Sequence, residues 1–171
     1  MDVLVAGAGV IGLAAGRALA KRGHSVTVAE AADAFGAGVS SRNSEVIHAG
    51  MYYPTASLRA YHCVRGGELL YEFCASHGVE HRRCGKLIVA SSDDEIAKIE
   101  AIKQQGDFNG LQDLELLSSG QARRLEPNLV CTAALLSPNT GIVDSHGLML
   151  ALLGAIEDLG GVLAVNAPVL A

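Results

Sequence analysis

Three glycines and one glutamate near the amino terminus have the types and spacing that bind a dinucleotide. Gly7, Gly9 and Gly12 form the pattern GxGxxG. The first glycine permits a tight turn, the second lets a pyrophosphate approach the backbone, and the third lets a helix pack close to a sheet. Glu30 follows at the distance where an acid accepts hydrogen bonds from ribose hydroxyls. An acid there favours an unphosphorylated ribose, so the pattern predicts NAD or FAD rather than NADP.

The elements that must position these residues are a strand, a helix and a second strand. Val3–Ala6 is a short apolar run, Val10–Arg22 has helical character, and Ser25–Glu30 is rich in β-forming residues. Such a βαβ unit has parallel strands and a right-handed crossover. The amides of Val10 and Ile11 then start the helix, where free N–H groups and the helix dipole attract phosphates. A glycine-rich turn that binds nothing is the alternative interpretation.

Helical and strand patterns alternate along the rest of the chain, which predicts an α/β fold. The predicted helices are Leu58–His77, Asp93–Gln105, Ser118–Leu125 and His146–Leu159. The predicted strands are Lys86–Ala90, Leu114–Leu117, Thr132–Leu136, Gly141–Val143 and Val162–Val165. The expected architecture is a Rossmann-like βαβ unit with parallel strands, followed by the beginning of an α+β domain.

Composition indicates a folded globular protein without nucleic acid as a partner. Hydrophobic residues make up 50% of the 171 residues, charged residues 18%, and the net charge is -5. The apolar run from Val3 to Ala20 is not expected to be a signal peptide or a membrane span, because Asp2 precedes it and Arg17 interrupts it. We therefore expect a cytoplasmic protein, with peripheral membrane association left open.

The four cysteines predict reduced thiols, because none of them forms a CxxC pair. Cys74 and His77, together with His81 and Cys84, have a spacing that four zinc ligands can share. A zinc site is nevertheless disfavoured, because the first pair ends a helical pattern and three cationic residues crowd the second. No metal is predicted.

The polar loop after Glu30 distinguishes between the two dinucleotides. An NAD protein usually passes promptly into another helix, whereas this chain enters a segment rich in glycine and serine. Donors along an extended ligand suit FAD, whose ribityl chain and flavin ring reach further over the sheet. Ser40, Ser41 and Asn43 are candidates to bond phosphate or ribityl oxygens, and Arg42 and His48 are candidates to stand beside the reactive ring.

Several segments resemble the FAD-dependent oxidoreductases of the D-amino-acid oxidase superfamily, and within it the L-2-hydroxyglutarate dehydrogenase or oxidase family. The dinucleotide segment VLVAGAGVIGLAAGRALAKRGHSVTVAE precedes SSRNSEVIHAGMYYP. The segments CGKLIVA, RRLEP and TGIVDSHGLMLAL are similar to that family too. The resemblance extends over essentially the whole chain, and the segments RNSEVIHAGMYYP and TGIVD are more specific than the glycine pattern alone.

This resemblance implies the oxidation of an L-2-hydroxy acid to a 2-oxo acid, with hydride passing to FAD and then to a quinone or to oxygen. His48 is our candidate base, because imidazole exchanges protons near neutral pH. A histidine that only hydrogen-bonds the backbone or the flavin is the alternative. Arg42 is expected to pair with a carboxylate or with an FAD phosphate, and Tyr53 to donate its hydroxyl to the substrate.

The resemblance also implies how the chain is divided. Residues 1–54 and 140–171 are expected to belong to an FAD-binding domain, and residues 55–139 to begin a substrate domain. Enzymes of this family are longer, so the chain is expected to be an amino-terminal part that needs a missing half or a second chain. Two other hypotheses stay open: an amino-acid or amine oxidase of the same superfamily, and a non-catalytic nucleotide-binding fragment.

Overall fold

The computed structural model of the protein describes residues 1–170, and the chain divides into two compact units. The first unit contains Met1–Glu45, Ser76–Glu80 and the stretch from Val143, and the second contains Val46–Ala75 and His81–Ile142. Neither unit is a continuous segment of the chain. The functions expected of residues 1–54, 55–139 and 140–171 stay predictions.

The described residues contain nine strands and five α-helices. The strands are β1 (Asp2–Ala6), β2 (Ser25–Ala29), β3 (Val46–Ile47), β4 (His81–Arg82), β5 (Lys86–Ala90), β6 (Glu115–Ser118), β7 (Ala133–Ser137), β8 (Gly141–Val143) and β9 (Val162–Ala164). The helices are α1 (Val10–Ala20), α2 (Leu58–His77), α3 (Ile96–Phe108), α4 (Ser119–Leu125) and α5 (Ser145–Glu157). Within residues 1–170, no helix is long and apolar enough to cross a bilayer.

The first unit is built on a parallel sheet in the order β1, β2, β9. This confirms the α/β fold class, and β9 pairs with β2 at the edge of the sheet. Gly16 lets α1 lie close to its neighbours: a Cβ there would be 3.2 Å from Ile156 Cδ1 and 3.4 Å from Val28 Cγ2. The helix therefore contacts both the sheet and α5.

The second unit contains two small sheets. One is antiparallel, with β7 between β5 and β6, and the other has β8 between β3 and β4. Successive residues of β7 face opposite sides of their sheet, as the period of a strand requires. Leu135 belongs to a core cluster with Met51 and Ile99, whereas Ala134 belongs to another with Leu117. Both faces of β7 are therefore covered.

Most differences from the predicted elements lie at their ends. Helix α1 stops at Ala20 rather than Arg22, because Gly23 adopts a φ of +83° and its amide bonds the Ala20 carbonyl at 2.9 Å. Helix α3 starts later than expected, since residues 93–95 form a turn of 3-10 helix. The two-residue strands β3 and β4 were not predicted.

The zinc arrangement considered for Cys74, His77, His81 and Cys84 does not form. Within residues 1–170, no three His, Cys, Asp or Glu side chains are grouped closely enough to hold a metal ion. Cys74 is buried in the second unit, and all four cysteines are free thiols.

Candidate dinucleotide site

The turn between β1 and α1 has a shape that only glycine accommodates. Gly7 has a φ of +98°, a conformation that residues with a Cβ rarely adopt. Its amide donates to the Ala29 carbonyl at 2.7 Å, which fixes the turn to β2. A Cβ on Gly12 would collide with the Gly7 carbonyl oxygen. The first and third glycines of the pattern therefore form one close backbone contact.

The amino terminus of α1 presents backbone donors. The Val10 amide donates to Ser40 Oγ at 3.0 Å. The amides of Gly9, Ile11 and Gly12 have no hydrogen-bond partner within residues 1–170. Unpaired amides at the positive end of a helix dipole attract anions. This donor set fits the pyrophosphate of a dinucleotide.

Glu30 connects the glycine turn to the loop that follows β2. Its two carboxylate oxygens accept the Ala8 amide at 2.8 Å and the Ala32 amide at 2.9 Å. The amide bonds from Ala32 and then Ala8 lower the pKa of this carboxyl, although partial burial opposes them. The group is thus held as a carboxylate. Each oxygen keeps acceptor capacity for a ribose hydroxyl.

Three predicted loop residues fold the loop back on itself. Ser41 Oγ donates to the Gly38 carbonyl at 3.0 Å, and Asn43 Nδ2 donates to the Ser40 carbonyl at 2.7 Å. Arg42 Nη1 donates to the carbonyls of Ala37 and Gly38 at 2.6 and 2.9 Å. Their side chains shape the loop in this conformation. The Arg42 guanidinium retains Nε and Nη2 for an anion.

Glu45 was missed by the sequence reasoning. Its Oε1 accepts the Ser145 amide at 3.0 Å and the Ser145 hydroxyl at 2.7 Å. The amide bond, followed by the hydroxyl bond, lowers the pKa of this exposed carboxyl, although some desolvation and the nearby Asp144 charge oppose them. No local pattern links two residues 100 positions apart.

Gly36, which begins the loop, was not among the predicted site residues. It has a φ of +68°, and its amide donates to the Ala8 carbonyl at 3.0 Å. A Cβ there would lie 2.6 Å from Met149 Cε. Its place after a β-strand, within a glycine-rich stretch, was the only signal available in the sequence.

The predicted base and tyrosine lie in the second unit. The His48 side chain is exposed, and its carbonyl accepts the Cys63 thiol at 3.4 Å. The Arg59 guanidinium carbon lies 5.4 Å from the Tyr53 ring centroid. Neighbouring Tyr52 accepts a 3.0 Å hydrogen bond from Lys86 Nζ.

A cavity of about 140 Å³ in the second unit has His48 in its wall. Arg83 lies over the Tyr71 ring, 4.2 Å from its centroid, and donates to Asn139 Oδ1 at 3.0 Å. Burial raises the pKa of the Tyr71 hydroxyl, and the Arg83 charge opposes that shift. Glu68 also lines this cavity, so the wall combines a cation, a carboxylate, an amide, a phenol and an imidazole.

Comparison with protein families gives one match over nearly the whole chain. The model described as FAD dependent oxidoreductase matches residues 2–171. A mitochondrial L-2-hydroxyglutarate dehydrogenase of Arabidopsis thaliana is 49% identical over 152 residues, covering 89% of this chain and 32% of the relative. The enzyme of the same name from Homo sapiens is 36% identical over 167 residues, covering 96% and 36%. The chain thus spans about a third of each of these two relatives.

Comparison with solved structures also gives matches over nearly the whole chain. L-alpha-glycerophosphate oxidase from Mycoplasma pneumoniae, with FAD bound, superposes with a TM-score of 0.88 at 28% identity, over 96% of this chain and 44% of that one. Glycine oxidase from Geobacillus kaustophilus superposes with a TM-score of 0.79 at 27% identity, over 96% and 46%.

These matches confirm the resemblance inferred from the sequence and the choice of FAD as cofactor. The expectation of a cytoplasmic location is wrong, because the named relatives are mitochondrial enzymes. The apolar amino-terminal run on which that expectation depended folds as β1 and α1 and carries no information on location. The roles of the individual site residues stay predictions.

Gly12→Ala is expected to weaken FAD binding by the protein roughly ten- to a hundred-fold, because a forced overlap costs about 1–3 kcal/mol. The added methyl group would push the start of α1 away from the Gly7 carbonyl. Titration of FAD fluorescence measures the change. Gly154→Ala is the matched control, since a Cβ on that α5 glycine meets open space. Equal affinities of the two variants would contradict the assigned site.

The lowered pKa of Glu30 predicts how its contribution to stability varies with pH. The unfolded chain binds its proton near the ordinary value of 4.5, and the folded chain binds it only at lower pH. The stabilisation is therefore fully present above that value and is lost as the pH falls through the folded pKa. Glu30→Gln should flatten the decline of the free energy of unfolding in this range, measured by urea denaturation.

Glu100→Gln is the control for this titration, because Glu100 is an exposed carboxylate on α3. This substitution should leave the dependence of the free energy of unfolding on pH as it is in the parent protein. If the free energy of unfolding falls with pH in the same way for the parent and for Glu30→Gln, the carboxylate does not hold the turn.

Proposed function

Since the chain belongs to the FAD dependent oxidoreductase family, we propose that it forms part of an enzyme that oxidises L-2-hydroxyglutarate to the 2-oxo acid. The observation that carries this proposal is the 49% identity to a relative named for that substrate. The relatives' names also favour a mitochondrial location for the enzyme.

The first unit is proposed to hold the cofactor. The turn at Gly7, Gly9 and Gly12 places unpaired amides at the start of α1, where they would bind the pyrophosphate. Glu30 would accept the ribose hydroxyls with the free lone pairs of its carboxylate. When bound, FAD supplies the acceptor for the hydride that leaves C2 of the substrate.

The remaining steps need a base and a cation. His48 is proposed to take the hydroxyl proton as the C2–H bond breaks, so that the alcohol becomes a carbonyl. Its exposed imidazole is free to receive a proton. Arg42 is proposed to hold a carboxylate or an FAD phosphate with the N–H groups that its loop carbonyls do not use. Tyr53 is proposed to donate its hydroxyl to the substrate.

The substrate is tested by anaerobic reduction of the FAD-loaded protein. Addition of L-2-hydroxyglutarate should bleach the visible absorption band of the flavin, while the D enantiomer should leave it unchanged. Bleaching by glycine or D-amino acids, without reduction by L-2-hydroxyglutarate, would instead assign the protein to the amino-acid oxidases. The 27% identity to a glycine oxidase makes that comparison necessary.

The proposed base is tested by His48→Gln, which keeps a polar side chain but cannot take the proton. Flavin reduction should slow roughly 10²- to 10⁴-fold, the usual contribution of a general base, while the FAD content stays that of the parent. His62→Gln is the control, since His62 is another exposed histidine of the second unit. A reduction rate unaffected by His48→Gln would contradict the assignment.

A further inference from the structure

A continuous series of hydrogen bonds joins the amino terminus of α5 to that of α1. Glu45 accepts the amide and hydroxyl of Ser145 at 3.0 and 2.7 Å. The Glu45 amide donates to Asn43 Oδ1 at 2.8 Å, and Asn43 Nδ2 donates to the Ser40 carbonyl at 2.7 Å. Ser40 Oγ in turn accepts the Val10 amide at 3.0 Å. All five residues belong to the first unit.

The backbone of Glu45 shows that this series constrains the loop. Its φ of +57° is unfavourable for a residue with a Cβ, and such a conformation persists only where the surroundings hold it. The Glu45 carbonyl accepts the Val143 amide at 3.0 Å, while its carboxylate accepts the two donors of Ser145. The residue is therefore held through both its main chain and its side chain.

A simple helix cap does not account for the arrangement. Helix α5 already has an N-cap in Asp144, whose Oδ1 accepts the Gly147 amide at 2.9 Å. Glu45 reaches the same helix from a segment 100 residues earlier in the chain. What distinguishes it from Asp144 is its link to the loop that carries Ser40.

We propose that Glu45 is a positioning residue of the dinucleotide site, an inference that rests on the proposed binding of FAD. Through Asn43, it holds Ser40 against the amino terminus of α1. Ser40 Oγ occupies the Val10 amide, directly beside the unpaired amides that would meet the pyrophosphate. Without the side-chain oxygen that accepts from Ser145, we expect Ser40 to leave the Val10 amide, so that the donors at the start of α1 are no longer held in place.

The first test follows the Val10 amide by native-state hydrogen exchange in the protein without FAD. Glu45→Ala should speed exchange of this amide and of the amides of residues 40–42. Glu45→Gln, which keeps an acceptor oxygen for Ser145, should restore most of the protection. Asp144→Ala is the matched control, because it removes a cap of the same helix and should speed exchange only within α5. Equal effects of Glu45→Ala and Asp144→Ala on the Val10 amide would overturn the proposal.

Glu45→Gly separates the side chain from the backbone conformation, since glycine adopts a positive φ without strain. It should behave like Glu45→Ala. Protection of Val10 at the parent level in Glu45→Gly would mean that only the main chain matters, and the role given to the carboxylate would be wrong.

The second test is titration with FAD. Glu45→Ala should raise the dissociation constant roughly ten-fold, the usual effect of losing a hydrogen bond to a charged group, with Glu45→Gln close to the parent. The unfolding midpoint of Glu45→Ala should match that of Asp144→Ala. Asp144→Ala should bind FAD like the parent. An unchanged affinity in Glu45→Ala would overturn the proposal. A parent protein that binds no FAD would refute the proposed function, while the exchange of the Val10 amide would still decide whether Glu45 positions Ser40.

Discussion

The first unit depends on one charged contact, in which the carboxylate of Glu30 accepts the amides of Ala8 and Ala32. This contact ties the glycine turn to the end of β2, so that the start of α1 and the loop after β2 keep a fixed relation. The same carboxylate lies where a ribose is expected, so a single ionised group is proposed to serve both structure and recognition. Loss of its charge would affect both.

The sequence allowed the regular elements to be predicted because their patterns are local. The bounds of α2 and β5 agree with the structure residue for residue, although Gly66 and Gly67 lie within α2 and each costs about 1 kcal/mol relative to alanine. Two-residue strands such as β3 carry too few residues to show a period. They form because β8 is present to pair with them.

The part of the site that depends on local spacing could also be predicted from the sequence. Gly7, Gly12 and Glu30 follow a spacing set by the geometry of a βαβ unit, and the structure brings all three to one turn. The function of the polar loop could be anticipated from its composition, but its internal contacts could not. Arg42 bonds its own loop carbonyls, and Glu45 bonds a serine on a distant helix. Such contacts depend on a fold that must be known before they can be seen.

The discontinuity of the two units has a consequence for the order of events during protein synthesis. Strands β1 and β2 and helix α1 are complete within the first thirty residues, whereas Glu45 must wait for Ser145, which lies 100 residues further along the chain. At about 5–20 residues per second, that interval is about 5–20 s on the ribosome. During this interval Glu45 has no bond to Ser145, so the nascent chain must emerge past residue 145 before the loop that begins at Gly36 can be held against α5.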